Sequence, residues 1–283
     1  MTLNPRDLVN ESTRLSSLPE ICFKIDDIVA DPQSSFEDVA DVISNDTSLS
    51  ARLLKIVNSA LYNFPDRVET IIHAISIVGT QQLRDLVMAT YALSAFKGIP
   101  EKLINMSSFW RHSVACGVAA RVLAIHRREA NAERFYLMGM LHDVGRLILL
   151  ENAPDLAGQV ILRAREKDEI MYKVELELLG CDHAAVGAEL LRAWQVPIRI
   201  VEAVACHHDP SKAVRYPVES SVIHLADFIA KAIGLGCSGD RLVPWLNENA
   251  WEKVGLSTSQ LPSIWDQVER QYNDTVEMFL SMI

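Results

Sequence analysis

The sequence predicts an all-α protein, and three features of its 283 residues support this prediction. Apolar residues recur at helical spacing along almost the whole chain, whereas few segments alternate in the way that strands do. Glycine and proline residues separate the periodic segments, as is typical of helix ends. Hydrophobic residues make up 49% of the chain and charged residues 23%, so about a dozen helices can share a substantial core.

The sequence pattern of the first half predicts four main helices. Residues 36–62 carry two apolar stripes, one beginning at Phe36 and the next at Leu49. Residues 70–96 continue this pattern, and Gly79 marks a break between two helices. Within this region Met88 and its apolar neighbours Leu83, Leu86 and Val87 fit either plain core packing or a surface for a partner protein.

The second half predicts six helices, over residues 107–127, 133–152, 183–194, 197–208, 220–234 and 263–283. Ser107 or Ser108 is the expected N-cap of the first of these helices. Pro154 is expected to end the second helix and Pro210 the fourth, because proline cannot continue a helix. Gly234 is a good candidate for a C-terminal cap.

Three regions follow from this pattern. Residues 8–100 form an N-terminal helical part, residues 105–235 a helical bundle, and residues 240–283 a C-terminal helical tail that packs on the bundle. The segment 96–105 is the predicted join between the two halves, and its partly apolar character favours close packing between them.

Charge and cysteine usage exclude several classes of function. The net charge of −10 argues against a general affinity for nucleic acid polymers or anionic membranes, which bind clustered basic residues. The five cysteines show no C-x-x-C spacing, which is typical of reduced thiols in a cytoplasm. The N-terminus shows no signal-peptide pattern, and no run of about 18 apolar residues predicts a membrane span. We therefore expect a cytoplasmic protein.

Seven of the eight histidines follow residue 105, together with several aspartates. Two adjacent pairs are notable: His142 with Asp143 inside an apolar run, and His207 with His208 near a helix end. A buried charge is costly unless it is paired or binds a metal. Imidazole and carboxylate ligands together suit iron, manganese or zinc, and helical bundles often hold such sites.

Each of these residues also has an ordinary structural interpretation. The two pairs could be hydrogen-bonded helix ends, and His224 could bond to Asp227 three residues later. His73 and His126 are expected to be ordinary surface or core histidines. Cys181 and Cys206 are expected to fill the core rather than to bind a metal.

At this point the sequence resembles the HD phosphohydrolase superfamily. The order of His112, His142-Asp143 and Asp227 matches the pattern of that superfamily. The HD-GYP branch adds a histidine in "HxxxG" and a His-His pair, which "HAAVG" at His183 and "CHHDP" at His207 and His208 supply.

The sequence departs from the HD-GYP pattern on the substrate side. The segment "HHDPSKAVRYP" keeps Tyr216 and Pro217 but has Ala213 and Arg215 where that branch has glycines. Arg146 replaces a lysine, and Ser108 stands where some members carry a further glutamate ligand.

The first half resembles the HDOD domain, an HD-related output domain of bacterial signalling proteins. The matching pieces are Leu18-Pro19, "LLKIVNSALY" with Asn58-Ser59, and "AISIVGTQQLRDLV" with Gly79. The resemblance covers about residues 8 to 235. It implies an HD-like bundle with an additional N-terminal helical subdomain.

The resemblance also implies a site. The implied metal ligands are His112, His142, Asp143, His183, His207, His208 and Asp227. They would hold one or two divalent ions of iron, manganese or zinc, with Asp143 shared between two ions. Asp143 and Arg146 are the predicted catalytic residues, with Arg146 as a phosphate clamp.

Two functions follow from the resemblance. The first is a regulatory output module in signal transduction, whose partners are other signalling proteins. The second is a metal-dependent phosphohydrolase, with a phosphodiester such as cyclic di-GMP or another nucleotide as its substrate.

Overall fold

The all-α prediction is confirmed by the computed structural model, which describes residues 2–11, 20–59, 61–96, 99 and 101–280. No residue in these ranges lies in a strand, and no helix there is long and apolar enough to cross a membrane. The described residues form sixteen α-helices: α1 (Pro5–Glu11), α2 (Glu20–Ala30), α3 (Phe36–Ser44), α4 (Thr47–Val57), α5 (Ile71–Val78), α6 (Thr80–Ala95), α7 (Met106–His126), α8 (Ala132–Leu141), α9 (Val144–Asn152), α10 (Pro154–Lys167), α11 (Met171–Leu179), α12 (His183–Ala193), α13 (Ile198–Ala205), α14 (Pro217–Ile233), α15 (Glu248–Val254) and α16 (Leu261–Leu280). Two short 3-10 helices span Pro210–Lys212 and Thr258–Gln260.

Helices α2 to α6 pack on one another and form the N-terminal part. Helix α3 begins at Phe36, with its apolar stripe, and α4 begins two residues before Leu49; side-chain caps from Ser35 and Asp46 set these starts. Gly79 separates α5 from α6 with a φ of 98°, a left-handed conformation that favours glycine. Leu18-Pro19, two of the residues that carry the HDOD resemblance, lie outside the described residues.

The apolar residues considered as a partner surface on α6 belong to the core. Leu83 is fully buried, and Leu86, Val87 and Met88 are each 1% exposed. The core-packing interpretation of this segment is therefore the correct one.

Helix α7 forms the centre of the molecule. Fifteen of its 21 residues are buried, on all sides of the helix, and it packs against α8, α14 and α16. Its N-cap is Asn105, so the prediction of Ser107 or Ser108 is wrong. The reason is local, because the Asn105 side chain accepts the backbone N–H of Ser108 at 2.7 Å.

The segment predicted as one helix over 133–152 is two helices. Helix α8 ends at Leu141 and α9 begins at Val144, because Asp143 adopts a non-helical conformation with φ −99° and ψ 5°. The segment ends at Asn152, before Pro154 as predicted, and Pro154 occupies the first turn of α10, where a missing N–H costs nothing. His142 and Asp143 thus lie in a turn rather than along a helix.

Contacts between helices join the N-terminal part to the bundle. Helix α16 contacts α7 and α4, and α6 packs on α8. Helix α1 lies against α9 and α12, and the Leu3 N–H donates to the Leu179 carbonyl at 2.7 Å. One apolar core consequently runs through the N-terminal part and the bundle.

Candidate metal centre

All seven predicted metal ligands converge on one region of the bundle. They come from separate elements: α7 gives His112, the α8–α9 turn gives His142 and Asp143, α12 gives His183, the segment after α13 gives His207 and His208, and α14 gives Asp227. All are buried except His208, which has intermediate exposure.

The Asp143 carboxylate lies between two groups of imidazoles. Its Oδ2 is 3.3 Å from His142 Nε2 and 3.8 Å from His112 Nε2. Its Oδ1 is 2.8 Å from His183 Nε2 and 3.8 Å from His207 Nε2. Asp143 therefore offers one oxygen to each side of the centre.

Each side is completed by a further residue. On the first side, Asp227 Oδ1 is 3.0 Å from His112 Nε2 and 3.5 Å from His142 Nε2. On the second side, His208 Nε2 lies 2.9 Å from His183 Nε2. The arrangement thus consists of two adjoining ligand groups that share Asp143.

Partners outside the centre orient three of the imidazoles. The Nδ1 atoms of His142 and His207 each lie 2.7 Å from a backbone carbonyl, of Gly139 and Val204 respectively. His183 Nδ1 lies 2.6 Å from the buried Glu175 carboxylate, which also accepts the His183 backbone N–H. Bonds at Nδ1 leave Nε2 directed at the centre, which is the usual arrangement for metal-binding histidine.

Unpartnered polar atoms show that the centre fits a metal ion. The Nε2 atoms of His142 and His207 and both oxygens of Asp143 are buried and, although they lie close to one another and to His183, form no hydrogen bond of good geometry among the described residues. Buried polar groups normally have such partners, so this cluster of exceptions calls for a ligand. Imidazole nitrogen and carboxylate oxygen are the donors that iron, manganese and zinc accept.

The local charges favour a divalent cation. Four carboxylates, those of Asp143, Glu175, Asp227 and Asp240, surround the centre, and each side chain is at most 5% exposed. Arg146 and Lys231 supply two positive charges. With neutral imidazoles, as metal binding requires, four negative charges less two positive charges leave a negative excess that favours bound cations.

The pKa shifts differ within the centre, because His112 and Asp143 favour their charged forms whereas His207 favours its neutral form. Burial opposes a charge on His112, but Cys116 and Asp227 outweigh it and raise its pKa to about 9. Burial, with the nearby His142, holds the pKa of His207 well below its usual value, so this imidazole is neutral. Burial acts against ionisation of Asp143, yet His142 and Arg146 keep its pKa well below the ordinary range.

Two glycines allow the helices that carry the site residues to pack closely, because a side chain at either position would clash with backbone. A Cβ on Gly139 would lie 2.5 Å from the Cys116 carbonyl oxygen, so α8 crosses α7 at the turn that carries His112. A Cβ on Gly145 would lie 2.0 Å from the His183 carbonyl oxygen and 2.3 Å from Gly187 N. The absence of a side chain at Gly145 thus lets α9 and α12 place Asp143 beside His183.

Sequence reasoning missed four residues of the site. Cys116 Sγ lies 3.4 Å from His112 Nε2, and Lys231 Nζ donates to Asp227 at 2.8 Å. Both residues follow a predicted ligand by four positions on the same helix, so helical spacing could have indicated them. Glu175 and Asp240 carried no comparable signal, because they reach the site from distant segments.

Arg146 is buried beside the centre. Its Nη1 donates to the Ser238 carbonyl at 2.8 Å, and its Nη2 donates to Asp240 at 3.2 Å. Its Nη2 also lies 3.9 Å from Asp143 Oδ1. Its catalytic role as a phosphate clamp stays a prediction, and in this structure its guanidinium has internal partners.

The remaining histidines lie outside the two ligand groups. His224 Nδ1 lies 2.9 Å from the His207 carbonyl, and its Nε2 accepts the Asn247 N–H at 3.1 Å. The expected bond from His224 to Asp227 is therefore wrong, although its structural role is right. His73 is exposed and His126 half-buried. Neither belongs to a potential metal-binding group among the described residues.

The loop that lacks the HD-GYP glycines is held in place by hydrogen bonds to one side chain, that of Glu202. The Glu202 carboxylate accepts the backbone N–H groups of Val214, Arg215 and Tyr216. The Arg199 guanidinium covers the Tyr216 ring at 4.9 Å from its centroid. This segment thus forms an ordered turn without the glycines.

The chain is thus an all-α protein with a buried histidine–aspartate cluster whose donor atoms suit a metal ion. The family model of the HDOD domain matches residues 15–210. That match covers more than half of the chain, and the chain belongs to the HDOD domain family.

Two solved structures of other proteins have a fold similar to that of this chain. A candidate phosphohydrolase from Shewanella amazonensis SB2B is 25% identical, with a TM-score of 0.76 over 98% of this chain and 97% of that chain. An HDOD domain protein of unknown function from Geobacter sulfurreducens is 24% identical, with a TM-score of 0.73 over 98% and 96%.

One curated relative is an uncharacterised protein of Treponema pallidum. It is 24% identical over 200 residues, which make up 69% of this chain and 38% of that protein. The chain therefore spans well under half the length of this relative.

Proposed function

We propose that this HDOD chain acts as a regulatory output module in signal transduction and carries a bound divalent metal centre. The observation that carries the proposal is the convergence of six predicted ligands with a seventh, Asp143, in one buried cluster that has polar atoms without hydrogen bonds. One ion would be held by His112, His142, Asp227 and Asp143. A second would be held by Asp143, His183, His207 and His208.

Burial of the centre favours regulation over open catalysis. Six of the seven ligands are buried, and Arg146 and Lys231 are paired with Asp240 rather than free for a substrate. A closed metal site of this kind can sense metal or support the fold while other surfaces of the module contact signalling partners. Iron, manganese and zinc are the proposed ions.

The second candidate function is a metal-dependent phosphohydrolase acting on a phosphodiester. It is favoured by the shared Asp143 carboxylate, and one similar solved protein is described as a candidate phosphohydrolase. Divalent ions at such a centre lower the pKa of bound water and neutralise charge on a phosphoryl group. In this candidate, Asp143 and the six other ligands hold the ions, while Arg146 and Lys231 would bind phosphoryl oxygens.

The test is elemental analysis of the purified full chain, followed by assays with phosphodiesters that include cyclic di-GMP. The matched variants are Asp143→Ala, which removes the shared ligand, and Asp266→Asn, which removes an exposed carboxylate far from the ligands in sequence. We expect bound metal in the wild type and in Asp266→Asn, and its loss in Asp143→Ala.

Turnover decides between the two functions. Metal without hydrolysis of any phosphodiester supports the regulatory module. Metal with hydrolysis that Asp143→Ala abolishes supports the hydrolase. A wild-type chain purified without metal, and unable to take it up, would contradict both.

A further inference from the structure

The segment Gly236–Asp240, here called the strap, lies across the two cations that border the metal centre. It belongs to an irregular stretch from residue 235 to residue 247, between α14 and α15. Connections of this length without secondary structure are uncommon in compact domains and often functional. Within this stretch, Trp245 lies beyond the strap and is 88% exposed, whereas the Asp240 side chain in the strap is 5% exposed.

The Asp240 carboxylate binds both cations at once. Its Oδ2 accepts from Arg146 Nη2 at 3.2 Å and from Lys231 Nζ at 3.2 Å. Its Oδ1 accepts the Met171 backbone N–H at 3.1 Å. A carboxylate in this position makes the contacts that an arginine fork and a lysine offer to phosphoryl oxygens.

The two cations reach opposite sides of the centre. Lys231 Nζ donates to Asp227 at 2.8 Å, on the first side. Arg146 Nη2 lies 3.2 Å from His183 Nε2 and 3.9 Å from Asp143 Oδ1, on the second side. An anion held between Arg146 and Lys231 would therefore adjoin both ligand groups.

One donor in this region has no partner. Arg146 Nε is buried without a hydrogen-bond acceptor among the described residues, and the Arg146 side chain is only 4% exposed. The Glu175 carboxylate lies 4.0 Å from Arg146 Nε, beyond hydrogen-bond distance, so this buried N–H can still donate to a further partner. The Asp240 carboxylate bonds Arg146 at Nη2 and leaves Nε without a hydrogen bond.

Glycine allows the strap to lie this close to the centre. A Cβ on Gly236 would lie 2.3 Å from His112 N and 2.7 Å from the Ser108 carbonyl oxygen. A Cβ on Gly239 would lie 3.4 Å from Arg146 Nη1. Both glycines have positive φ, at 78° and 116°, and the Cys237 N–H donates to the Ser108 carbonyl.

We propose that Asp240 is an internal plug, which occupies a phosphoryl-binding site formed by Arg146 and Lys231. Displacement of the strap opens the site to the phosphoryl group of a phosphoester or to free phosphate. This inference rests on the proposed function, because phosphoryl groups are the ligands expected beside such a metal centre. It adds a specific inhibitory contact within the chain.

The test uses the full chain with Asp240→Ala, and Asp266→Asn serves as the surface control. Removing Asp240 takes away the one carboxylate that Arg146 and Lys231 share, while Lys231 keeps Asp227 and Arg146 keeps the Ser238 carbonyl, so we expect the melting temperature to fall by on the order of 10 °C. Sodium phosphate should restore at least half of this loss, compared with sodium chloride at equal ionic strength. The wild type and Asp266→Asn should show no comparable gain.

Calorimetric titration then identifies the anion. We expect Asp240→Ala to bind phosphate at least about tenfold more tightly than the wild type does. Dimethyl phosphate distinguishes the sources, because binding of this diester supports a phosphodiester ligand and binding of inorganic phosphate alone supports the free ion. Failure of both anions to bind would overturn the plug.

Two further measurements keep the inference testable if Asp240→Ala does not fold. Asp240→Asn keeps the shape of the side chain without its charge and should show the same rescue by phosphate. The double variant Lys231→Met with Asp240→Asn removes one of the two cations of the proposed phosphoryl-binding site and should lose that rescue. Rescue that persists in the double variant would contradict the proposal.

Metal content is measured on every sample. Bound metal without phosphate rescue would refute the plug and leave the proposed metal centre intact. Phosphate rescue in a protein that holds no metal would keep the plug and refute the metal centre.

Discussion

The carboxylate of Asp143 presents its two oxygens to different groups of imidazoles. Because Oδ2 lies near His142 and Oδ1 lies near His183, a single side chain can serve both sides of the centre. Its position in the turn between α8 and α9 allows this geometry.

At the level of single residues, Glu175 should tune the centre without binding a metal. Its carboxylate accepts from both the backbone and the ring of His183, at 2.8 and 2.6 Å. We expect Glu175→Gln to weaken metal affinity by about tenfold or more, because loss of the charge makes His183 less basic and less well oriented. Competition with a chromophoric chelator measures this affinity.

Glu177→Gln provides the matched control for Glu175→Gln. Glu177 lies on the same helix, is exposed, and pairs with Arg163 instead of with a ligand. Its substitution should leave metal affinity unchanged. Equal effects of the two variants would show that Glu175 does not act through His183.

At the level of helices, the approach of α9 to α12 depends on Gly145. A methyl group there would overlap backbone atoms, the His183 carbonyl oxygen and Gly187 N, which cannot rotate away as a side chain could. The two helices would have to separate, and Asp143 would then move away from His183.

We therefore expect Gly145→Ala to destabilise the protein by about 2 to 3 kcal/mol, as overpacking does in tight cores. It should also reduce the metal content. Gly158→Ala is the matched control, because its added Cβ would meet only Leu103 Cδ2, at 3.7 Å, an ordinary contact.

Gly158→Ala should be neutral or should stabilise α10 by up to about 1 kcal/mol, since alanine favours helix more than glycine does. Urea denaturation gives the free energy of unfolding for both variants. A Gly145→Ala protein as stable as the wild type would contradict the proposed close packing.

At the scale of the whole molecule, the centre links most of the second half of the chain. Its ligands come from three helices, one turn and one segment after a helix. The unfolded chain has no such arrangement, so a bound ion should stabilise only the folded state.

Removal of metal by a chelator should consequently lower the melting temperature. A site filled at a free metal concentration of roughly a thousand times Kd adds about 4 kcal/mol to the free energy of unfolding. Differential scanning calorimetry of metal-loaded and chelator-treated protein measures the change. In Asp143→Ala the same treatment should have little effect, and a melting temperature independent of metal in the wild type would argue against the centre.

Some of these features could be predicted from local sequence. Helical periodicity gave the all-α class, and Gly79 and Gly234 marked helix ends that the structure confirms. Local pattern also misjudged some boundaries. The run around His142 and Asp143 reads as one helix because its apolar residues continue through the turn, and Asn105 displaced the serines as the cap of α7.

The two adjacent pairs, His142-Asp143 and His207-His208, were visible as short-range patterns, whereas His112, His183 and Asp227 were selected as predicted ligands by the resemblance to the HD superfamily. Only the tertiary structure decided which Asp143 oxygen faces which imidazole, and that Glu175 and Asp240 border the site. Asp240 meets Arg146 across more than ninety positions of the chain, through helix packing that no local pattern encodes. The physical reason is that the spacing of apolar residues identifies the buried face of a single helix. Which charged side chains meet across a core depends instead on how several helices pack together.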